Sequence, residues 1–249
     1  MKTLEELYRD ILNGKVRVDQ PLPENYDPAH LDCLLRPKEY APVVPNQSCL
    51  KCESQETEYE RACQNSCVFD AIWEDEEGKL QIDKEMCAGC EACIHACKQG
   101  KLTAGKDVLP AMRSVRERKG NAYALVAPAF FGQFGEMVTA GQLRSAFKAL
   151  GFAGMVEVAL FADILTLKEA LEFDLHIKKE GDFQLTSCCC PVWIAMIRNI
   201  YEELMPHVPA AVSPMIACGR MIKRLYPDAV TVFVGPCLAK KKEAREEDI

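Results

Sequence analysis

The sequence contains no apolar run of about 18 residues, the length that a membrane-spanning helix requires. Its first residues, Met1 to Leu7, include two glutamates where a secretory signal needs an apolar segment. We therefore expect a cytoplasmic protein with no membrane span. The sequence also lacks an excess of positive charge, because its 30 basic residues are fewer than its 37 acidic ones. The net charge of -7 does not favour approach to phosphates and argues against a nucleic-acid partner.

Cysteine, in contrast, is abundant, with 14 among 249 residues. In a reducing compartment, many cysteines indicate metal or redox sites rather than disulfides. Eight of them fall in the block from Cys49 to Cys97, and none lies between Cys97 and Cys188. This gap separates a metal-rich module from a different second region.

The second half of the block has the spacing C-x2-C-x2-C-x3-C, formed by Cys87, Cys90, Cys93 and Cys97. Three thiolates on such a loop hold three corners of a 4Fe-4S cube, and the fourth, on the helix that follows, binds a second cube. The usual proline after the last cysteine is absent, because Lys98 follows. The spacing still predicts iron-sulfur ligation.

The first half repeats the pattern with an insertion, because ten residues separate Cys52 from Cys63 where two are expected. Two such halves exchange their fourth ligands. One predicted 4Fe-4S cluster is therefore held by Cys49, Cys52, Cys63 and Cys97, and the other by Cys87, Cys90, Cys93 and Cys67. The alternative for the first half is a tetrahedral zinc site on Cys49, Cys52, Cys63 and Cys67.

The second region alternates predicted strands and helices. Strands are expected at 122–128, an apolar run that ends in a proline turn, and at 154–160, 183–186 and 229–234. Helices are expected at 141–150, at 163–177 with Asp163 as the N-cap, at 192–204, and at 213–225 with a Ser-Pro start. This alternation implies parallel pairing with helices over the sheet. The predicted fold is an α+β ferredoxin-like two-cluster module followed by an α/β lobe with a four-stranded, mainly parallel sheet. The predicted boundaries are 1–45 for an N-terminal extension, 46–105 for the ferredoxin domain, 106–120 for a linker and 121–249 for the lobe.

Candidate site residues directly follow three of these strands: Pro128, the triplet Cys188 to Cys190, and Cys237. Sites in parallel sheets form at the carboxyl ends of strands, so we expect these residues on one rim. Packing as core thiols is the alternative for the triplet, but three cysteines in a row before a proline fit it poorly.

Two segments resemble the signatures of FeFe hydrogenases. Residues 186–193, Thr-Ser-Cys-Cys-Cys-Pro-Val-Trp, are similar to the first signature, Thr-Ser-Cys-Cys-Pro-x-Trp, with one additional cysteine. Residues 235–243, Gly-Pro-Cys-Leu-Ala-Lys-Lys-Lys-Glu, are similar to the second, Met-Pro-Cys-x-x-Lys-x-x-Glu. With the ferredoxin motifs ahead of them, the resemblance covers residues 46–249 and points to a ferredoxin-bearing branch of that family.

The resemblance implies an H-cluster in the complete protein, a 4Fe-4S cube joined through a cysteine to a two-iron unit with CO, cyanide and a dithiolate bridge. Matched residue by residue, Cys190 and Cys237 are cube ligands, and Cys189 is the thiol that passes protons. Lys240 matches the lysine that donates to a cyanide. Ala127 and Pro128 match the loop on the other cyanide.

The resemblance also implies a proton route through Glu169 and Glu172, which stand three residues apart on one helix face. Solvated surface carboxylates are the alternative. The match departs from the family at Pro209, where relatives have a pathway serine, and at Gly235, where they have methionine. These departures predict a slowed or rerouted proton transfer.

The third family signature, Glu-x-Met-Ala-Cys-x-x-Gly-Cys-x-x-Gly-Gly-Gly, is absent from these 249 residues. It supplies the last cube ligand and the bridging cysteine, so we expect a fragment or truncated product that is incomplete for catalysis. The leading hypothesis is an FeFe hydrogenase that interconverts H2 with protons and electrons and exchanges electrons with a carrier such as ferredoxin. The alternatives are a non-catalytic electron-transfer or sensory protein, and an iron-sulfur assembly factor.

Overall fold

The computed structural model describes residues 1–50, 52, 61–135, 137–185 and 189–245. The chain divides into two compact units. Unit 1 comprises Met1–Pro110 and the segment Leu238–Lys242, and unit 2 comprises Ala111–Cys237 and the residues from Glu243. Unit 1 therefore includes the predicted N-terminal extension together with the whole cysteine block.

The N-terminal part of unit 1 folds around two helices, α1 (Leu4–Leu12) and α2 (Pro28–Leu35). Thr3 and Glu6 close a capping box at the start of α1. Asp27 caps α2, where Pro28 occupies the first helical turn. The apolar faces of both helices bury Leu4, Leu7, Leu34 and Cys33 in one core, which is enough to explain this lone cysteine as a packed thiol.

The cysteine block folds into two antiparallel strand pairs and two short helices. Strands β1 (Val43–Pro45) and β4 (Leu102–Ala104) form one pair, and β2 (Ile72–Glu74) and β3 (Leu80–Ile82) form the other. The helices α3 (Ala62–Asn65) and α4 (Ala92–Ala96) carry Cys63 and Cys93. The core of this region contains cysteines among its apolar residues: Cys49, Cys63, Cys87 and Cys93. Lys51 and 53–60, most of the insertion, lie outside the described residues.

Unit 2 is built on a parallel sheet of β5 (Ala122–Val126), β6 (Gly154–Glu157) and β7 (Val230–Val234) in the order β6-β5-β7. The central strand β5 is apolar along its length, as expected for a strand that is covered on both faces. The helices are α5 (Val108–Glu117), α6 (Ala140–Ala149), α7 (Ala159–His176), α8 (Pro191–Ile200) and α9 (Pro214–Leu225). A last short helix, α10 (Lys240–Glu243), begins in the segment that belongs to unit 1.

Two predictions about this sheet are wrong. The described residues contain three of its strands and not four, because Phe183–Leu185 form no strand. Leu185 instead donates its N–H to the carbonyl of His207 at 2.8 Å, and the Phe183 ring stacks on the His207 ring. Thr186 lies outside the described residues.

The second error concerns the junction of β6 and α7. The strand ends at Glu157 and the helix begins at Ala159, whereas the sequence predicted a strand to residue 160 and a helix capped by Asp163. A continuous apolar run does not distinguish a buried strand from a buried helix turn. The predicted helix 192–204 likewise ends early, at Ile200, and a 3-10 helix, Glu202–His207, follows.

Candidate functional site

Cysteines from both halves of the block line one cavity of unit 1: Cys49, Cys52, Cys63 and Cys97. We name it the Cys49 cavity. It encloses about 330 Å³, part of which is open to solvent. Arg61, Gln99 and Lys101 also line it, together with apolar groups that include Leu80 and Leu102.

The other four cysteines of the block line a second cavity: Cys67, Cys87, Cys90 and Cys93. We name it the Cys87 cavity. It encloses about 310 Å³, and its wall includes Val43, Phe69, Ile72 and the acidic Glu91. Each cavity therefore takes three cysteines from one half of the block and one from the other half.

The two exchanged cysteines have matching backbone environments. The N–H of Ala71 donates to the Sγ of Cys67 at 3.4 Å, and the N–H of Lys101 donates to the Sγ of Cys97 at 3.3 Å. In each case the donor lies four residues after the cysteine. Hydrogen bonds from backbone N–H groups to ligand sulfurs are among the features that tune iron-sulfur clusters.

The loop between Cys87 and Cys93 has two residues in the left-handed region, Gly89 at φ 71° and Glu91 at φ 68°. A Cβ on Gly89 would lie 3.0 Å from the Cα of Ala239. A side chain at this position would therefore meet both backbone strain and a steric clash. The tight loop brings its three cysteines to one cavity.

Burial raises the pKa of Cys63 to about 11 and that of Cys93 to about 12. It raises the pKa of Cys49 and Cys87 as well. Neighbouring thiols add to the effect in all four cases, because each resists a second negative charge. Without a metal these groups are neutral thiols at pH 7, and ligation would release their protons.

The donor sets fit two 4Fe-4S cubes better than single metal ions. Tetrahedral zinc with Zn–S bonds of about 2.3 Å holds its thiolates about 3.8 Å apart. Within the described residues, no three His, Cys, Asp or Glu side chains are grouped closely enough to hold one ion. Cys67, a member of the alternative zinc set, lines the other cavity. Four thiols drawn from both halves of one block, at the ferredoxin-type spacing, suit a cube.

In unit 2, Ala127 and Pro128 follow β5, and Cys237 follows β7 beyond Gly235 and Pro236. These strands are parallel neighbours, so the three residues leave the sheet at the same edge. The N–H of Ala127 donates to the carbonyl of Val234 at 2.9 Å. A Cβ on Gly235 would lie 2.9 Å from the Cβ of Ala127, which shows how closely the two loops approach.

Cys190 and Cys189 lie at the start of α8 and not at the end of a strand. Cys190 occupies the N-cap position, Pro191 begins the helix, and both cysteines are exposed, as is Cys237. The rest of the first signature, Thr186, Ser187 and Cys188, lies outside the described residues.

Glu169 and Glu172 lie on the face of α7 that also carries the buried Phe161 and Leu165. Both are half-buried, whereas most of this helix is exposed. The Oε1 of Glu172 pairs with the Nζ of Lys168 at 3.1 Å. Its Oε2 is buried and has no hydrogen-bond partner among the residues that the structure describes. A buried carboxylate oxygen without a hydrogen-bond partner is energetically costly.

Lys240 is half-buried and begins α10 in the segment Leu238–Lys242. This segment is anchored to unit 1, because Leu238 packs in the core of the cysteine block. Lys241 donates to the carbonyl of Gly105 at 2.6 Å and pairs with Asp107 at 3.0 Å. In the sequence, only the run of three lysines from Lys240 to Lys242 points to this anchoring.

The family match falls on the second unit and the residues beyond it. Residues 120–249, more than half of the chain, match the family described as the iron-only hydrogenase large subunit, C-terminal domain. The chain belongs to this family. The resemblance inferred from its two signatures is thereby confirmed.

Curated relatives include iron hydrogenase 1 of Clostridium pasteurianum, which is 28% identical over a match that covers 68% of this chain and 40% of the relative. The periplasmic Fe hydrogenase large subunit of Nitratidesulfovibrio vulgaris is 26% identical, with 68% of this chain and 52% of the relative covered. Pyruvate synthase subunit PorD of Methanocaldococcus jannaschii is 34% identical over 26% of this chain and 65% of the relative. The chain spans about half or less of the length of the two hydrogenases.

Two further features of unit 2 concern Gly235 and helix α7. A methionine in place of Gly235 has no room, because even a Cβ would lie 2.8 Å from the Phe233 ring. Helix α7 exposes several large apolar side chains: Leu160, Ile164, Leu167, Leu171 and Leu175. Across the described helices, none is long and apolar enough to cross a bilayer.

Proposed function

We propose that this chain carries two 4Fe-4S clusters and serves electron transfer to and from an H2-converting site of the iron-only hydrogenase type. The observation that carries the proposal is the pair of cavities, each lined by four cysteines drawn from both halves of one block. Residues 46–105 are the proposed cluster domain, and 121–249 are the proposed part of the catalytic domain.

In the proposed cluster domain, Cys49, Cys52, Cys63 and Cys97 would hold one cube. The other cube would be held by Cys87, Cys90, Cys93 and Cys67. When bound, such clusters supply reversible one-electron chemistry. The protein contributes buried thiols, backbone N–H donors and apolar walls that keep water from the sulfurs. The proposed external partner is a carrier such as ferredoxin.

In the proposed catalytic domain, Cys190 and Cys237 would be ligands of the H-cluster cube, and Cys189 would deliver a proton. The exposure of Cys189 supports this role, because a proton-passing thiol must reach both the proton source and the acceptor. Lys240 would donate hydrogen bonds to one cyanide, and the close loops at Ala127–Pro128 and Gly235 would shape the site. H2 and protons are the proposed substrates and products.

Protons would reach this site through Glu169 and Glu172. Their half-buried position on α7 favours this role over that of solvated surface charges, and the unpartnered Oε2 of Glu172 is an acceptor in a water-poor environment. Lys168 holds the other oxygen and so fixes the direction of the carboxylate. The compartment stays a prediction, since one relative is named as a periplasmic enzyme.

A second candidate function, electron transfer without catalysis, is favoured by one observation. The eight cysteines of the two proposed ferredoxin-type clusters line two cavities of unit 1, and these clusters alone would suffice for electron transfer.

Anaerobic reconstitution with iron and sulfide tests the proposal. We expect about eight irons and about eight acid-labile sulfides per chain, with EPR signals of reduced 4Fe-4S clusters after dithionite treatment. A reproducible content of about four irons or fewer would contradict the two-cluster proposal. Hydrogen evolution from a reduced dye separates the two candidates: evolution by the reconstituted chain would refute the non-catalytic function, and no evolution from a chain that holds about eight irons would support it.

A further inference from the structure

The Cys49 cavity contains a buried arginine that the ligand pattern does not use. Arg61 is 3% exposed. Its Nη1 donates to the carbonyl of Cys49 at 3.0 Å and to the Sγ of Cys49 at 3.1 Å, and its Nη2 donates to the carbonyl of Gly78 at 2.8 Å. Its Nε donates to Oε1 of Glu74 at 2.5 Å. A buried guanidinium is costly unless charged groups and acceptors surround it, and here one of the acceptors is a proposed cluster ligand.

The two cavities differ in the charge that lines them. The Cys49 cavity includes Arg61 and Lys101, whereas the Cys87 cavity includes Glu91 and no described basic residue. The carboxylate of Glu74 balances Arg61 only in part, because its side chain is 35% exposed and therefore screened by water. Among the residues that the structure describes, the lining of the Cys49 cavity is therefore the more positive one.

The Cys49 cavity contains a second potential donor, the side-chain amide of Gln99. The Nε2 of Gln99 is buried, and the described residues offer it no hydrogen-bond partner. An amide N–H in this position suits an acceptor that occupies the cavity, such as the sulfur of a cluster. Donors of this kind raise cluster potentials in the same direction as a positive charge does.

We propose that Arg61 raises the reduction potential of the cluster in the Cys49 cavity above that of the cluster in the Cys87 cavity. This inference rests on the proposed cluster ligation. Reduction by one electron from a low-potential donor adds one negative charge to the cluster and its thiolates, with no bond broken and no proton required. A guanidinium 3.1 Å from a ligand sulfur stabilises that added charge, so an electron on this chain resides mainly at the Cys49 cavity.

The test is an EPR-monitored redox titration of the reconstituted chain in a Cys67→Ala background, where only the cluster of the Cys49 cavity remains. Arg61→Gln removes the charge and keeps a polar group, and Arg61→Lys keeps the charge. Lys79→Gln is the matched control, because it removes an exposed cation of the same unit. We expect Arg61→Gln to lower the ratio of reduced to oxidised cluster at a fixed potential at least tenfold, about 59 mV for one electron. Arg61→Lys and Lys79→Gln should change it less than threefold.

The variant Glu74→Gln should change the ratio of reduced to oxidised cluster in the opposite direction. It leaves Arg61 in place, so this test does not require an Arg61 variant to fold. Removing the carboxylate of Glu74 makes the net charge beside the cluster more positive, so the reduced fraction of the cluster should increase. If Arg61→Gln fails to bind iron, this variant decides: an increase supports the proposal, and no change or a decrease overturns it.

The failure of the inference is distinguishable from that of the proposed function. Iron missing from the Cys49 cavity of the unsubstituted chain overturns the ligation and the inference together. Iron present, with a potential that Arg61→Gln does not shift, overturns the inference alone.

Discussion

Exchange of the fourth ligand between the two halves of the cysteine block is the sharpest prediction of the geometry. In the structure Cys97 lines the cavity of Cys49, and Cys67 lines the cavity of Cys87. If each half instead bound its own cluster, Cys67 would belong with Cys49. Pairs of alanine substitutions distinguish the two arrangements. Once a cluster has lost one cysteine ligand, removing a second ligand of the same cluster should not lower the iron content further.

The expected values follow from the cavity linings. Cys49→Ala alone should reduce the iron content from about eight to about four per chain. Adding Cys97→Ala should leave it near four, because both residues serve the same cavity. Adding Cys67→Ala instead should reduce it to near zero, because each cavity then lacks a ligand. Alanine is used because a serine hydroxyl could still bind iron.

Iron and sulfide analysis and spin quantification of the reduced protein provide the assay. Cys33→Ala is the matched control, since this cysteine is buried in the N-terminal core away from both cavities, and it should keep about eight irons. The reverse pattern, with iron lost in the Cys49/Cys97 pair and kept in the Cys49/Cys67 pair, would refute the exchange of ligands.

Three further predictions concern the fold around the sites. Gly235→Ala should lower the stability of unit 2 by about 1–3 kcal/mol, seen as a lower midpoint in denaturant, because its Cβ would lie 2.8 Å from the Phe233 ring; an unchanged midpoint would contradict this close approach. Leu80→Ala should lower the free energy of unfolding of the apo chain by about 2–5 kcal/mol, because Leu80 is 2% exposed. Because Leu80 also lines the Cys49 cavity, the variant should lose its cluster faster in air; a cluster lifetime equal to that of the unsubstituted chain would contradict this shielding role. Ser213→Ala should cost about 1 kcal/mol in thermal unfolding, because the buried Ser213 side chain caps α9, and Ser213→Asn should recover part of the loss.

The cysteine arrangement could be predicted because ligand spacing is a local property of the chain. A loop that holds three thiols fixes where the fourth must come from, and the structure gathers the same two sets of four that the repeat suggested. The start of α9 was equally predictable, because Ser213 as a cap and Pro214 in the first turn are local signals. In both cases a few neighbouring residues determine the local geometry.

The errors arose where the outcome depends on distant residues. The segment at Phe183 has a strand-like composition, but its backbone and ring bind His207, which lies 24 positions further on. The apolar run after Gly154 changes from strand to helix at Val158 without a turn residue, because the N–H of Val158 still donates to Val126 while Ala159 begins the helix. Composition alone contains neither contact.

Arg61 shows the same limit at the functional site. It stands at the end of an insertion that lengthens the first ligand loop, and in sequence it is one basic residue in an acidic segment. Only the fold reveals that its guanidinium is buried against Cys49 while the equivalent part of the other half contributes no described cation to its cavity. Two halves with the same ligand pattern therefore differ in the charges that the described residues place beside their cysteines. This difference, rather than the ligands themselves, would give the two clusters unequal reduction potentials and so set the direction of electron transfer between them.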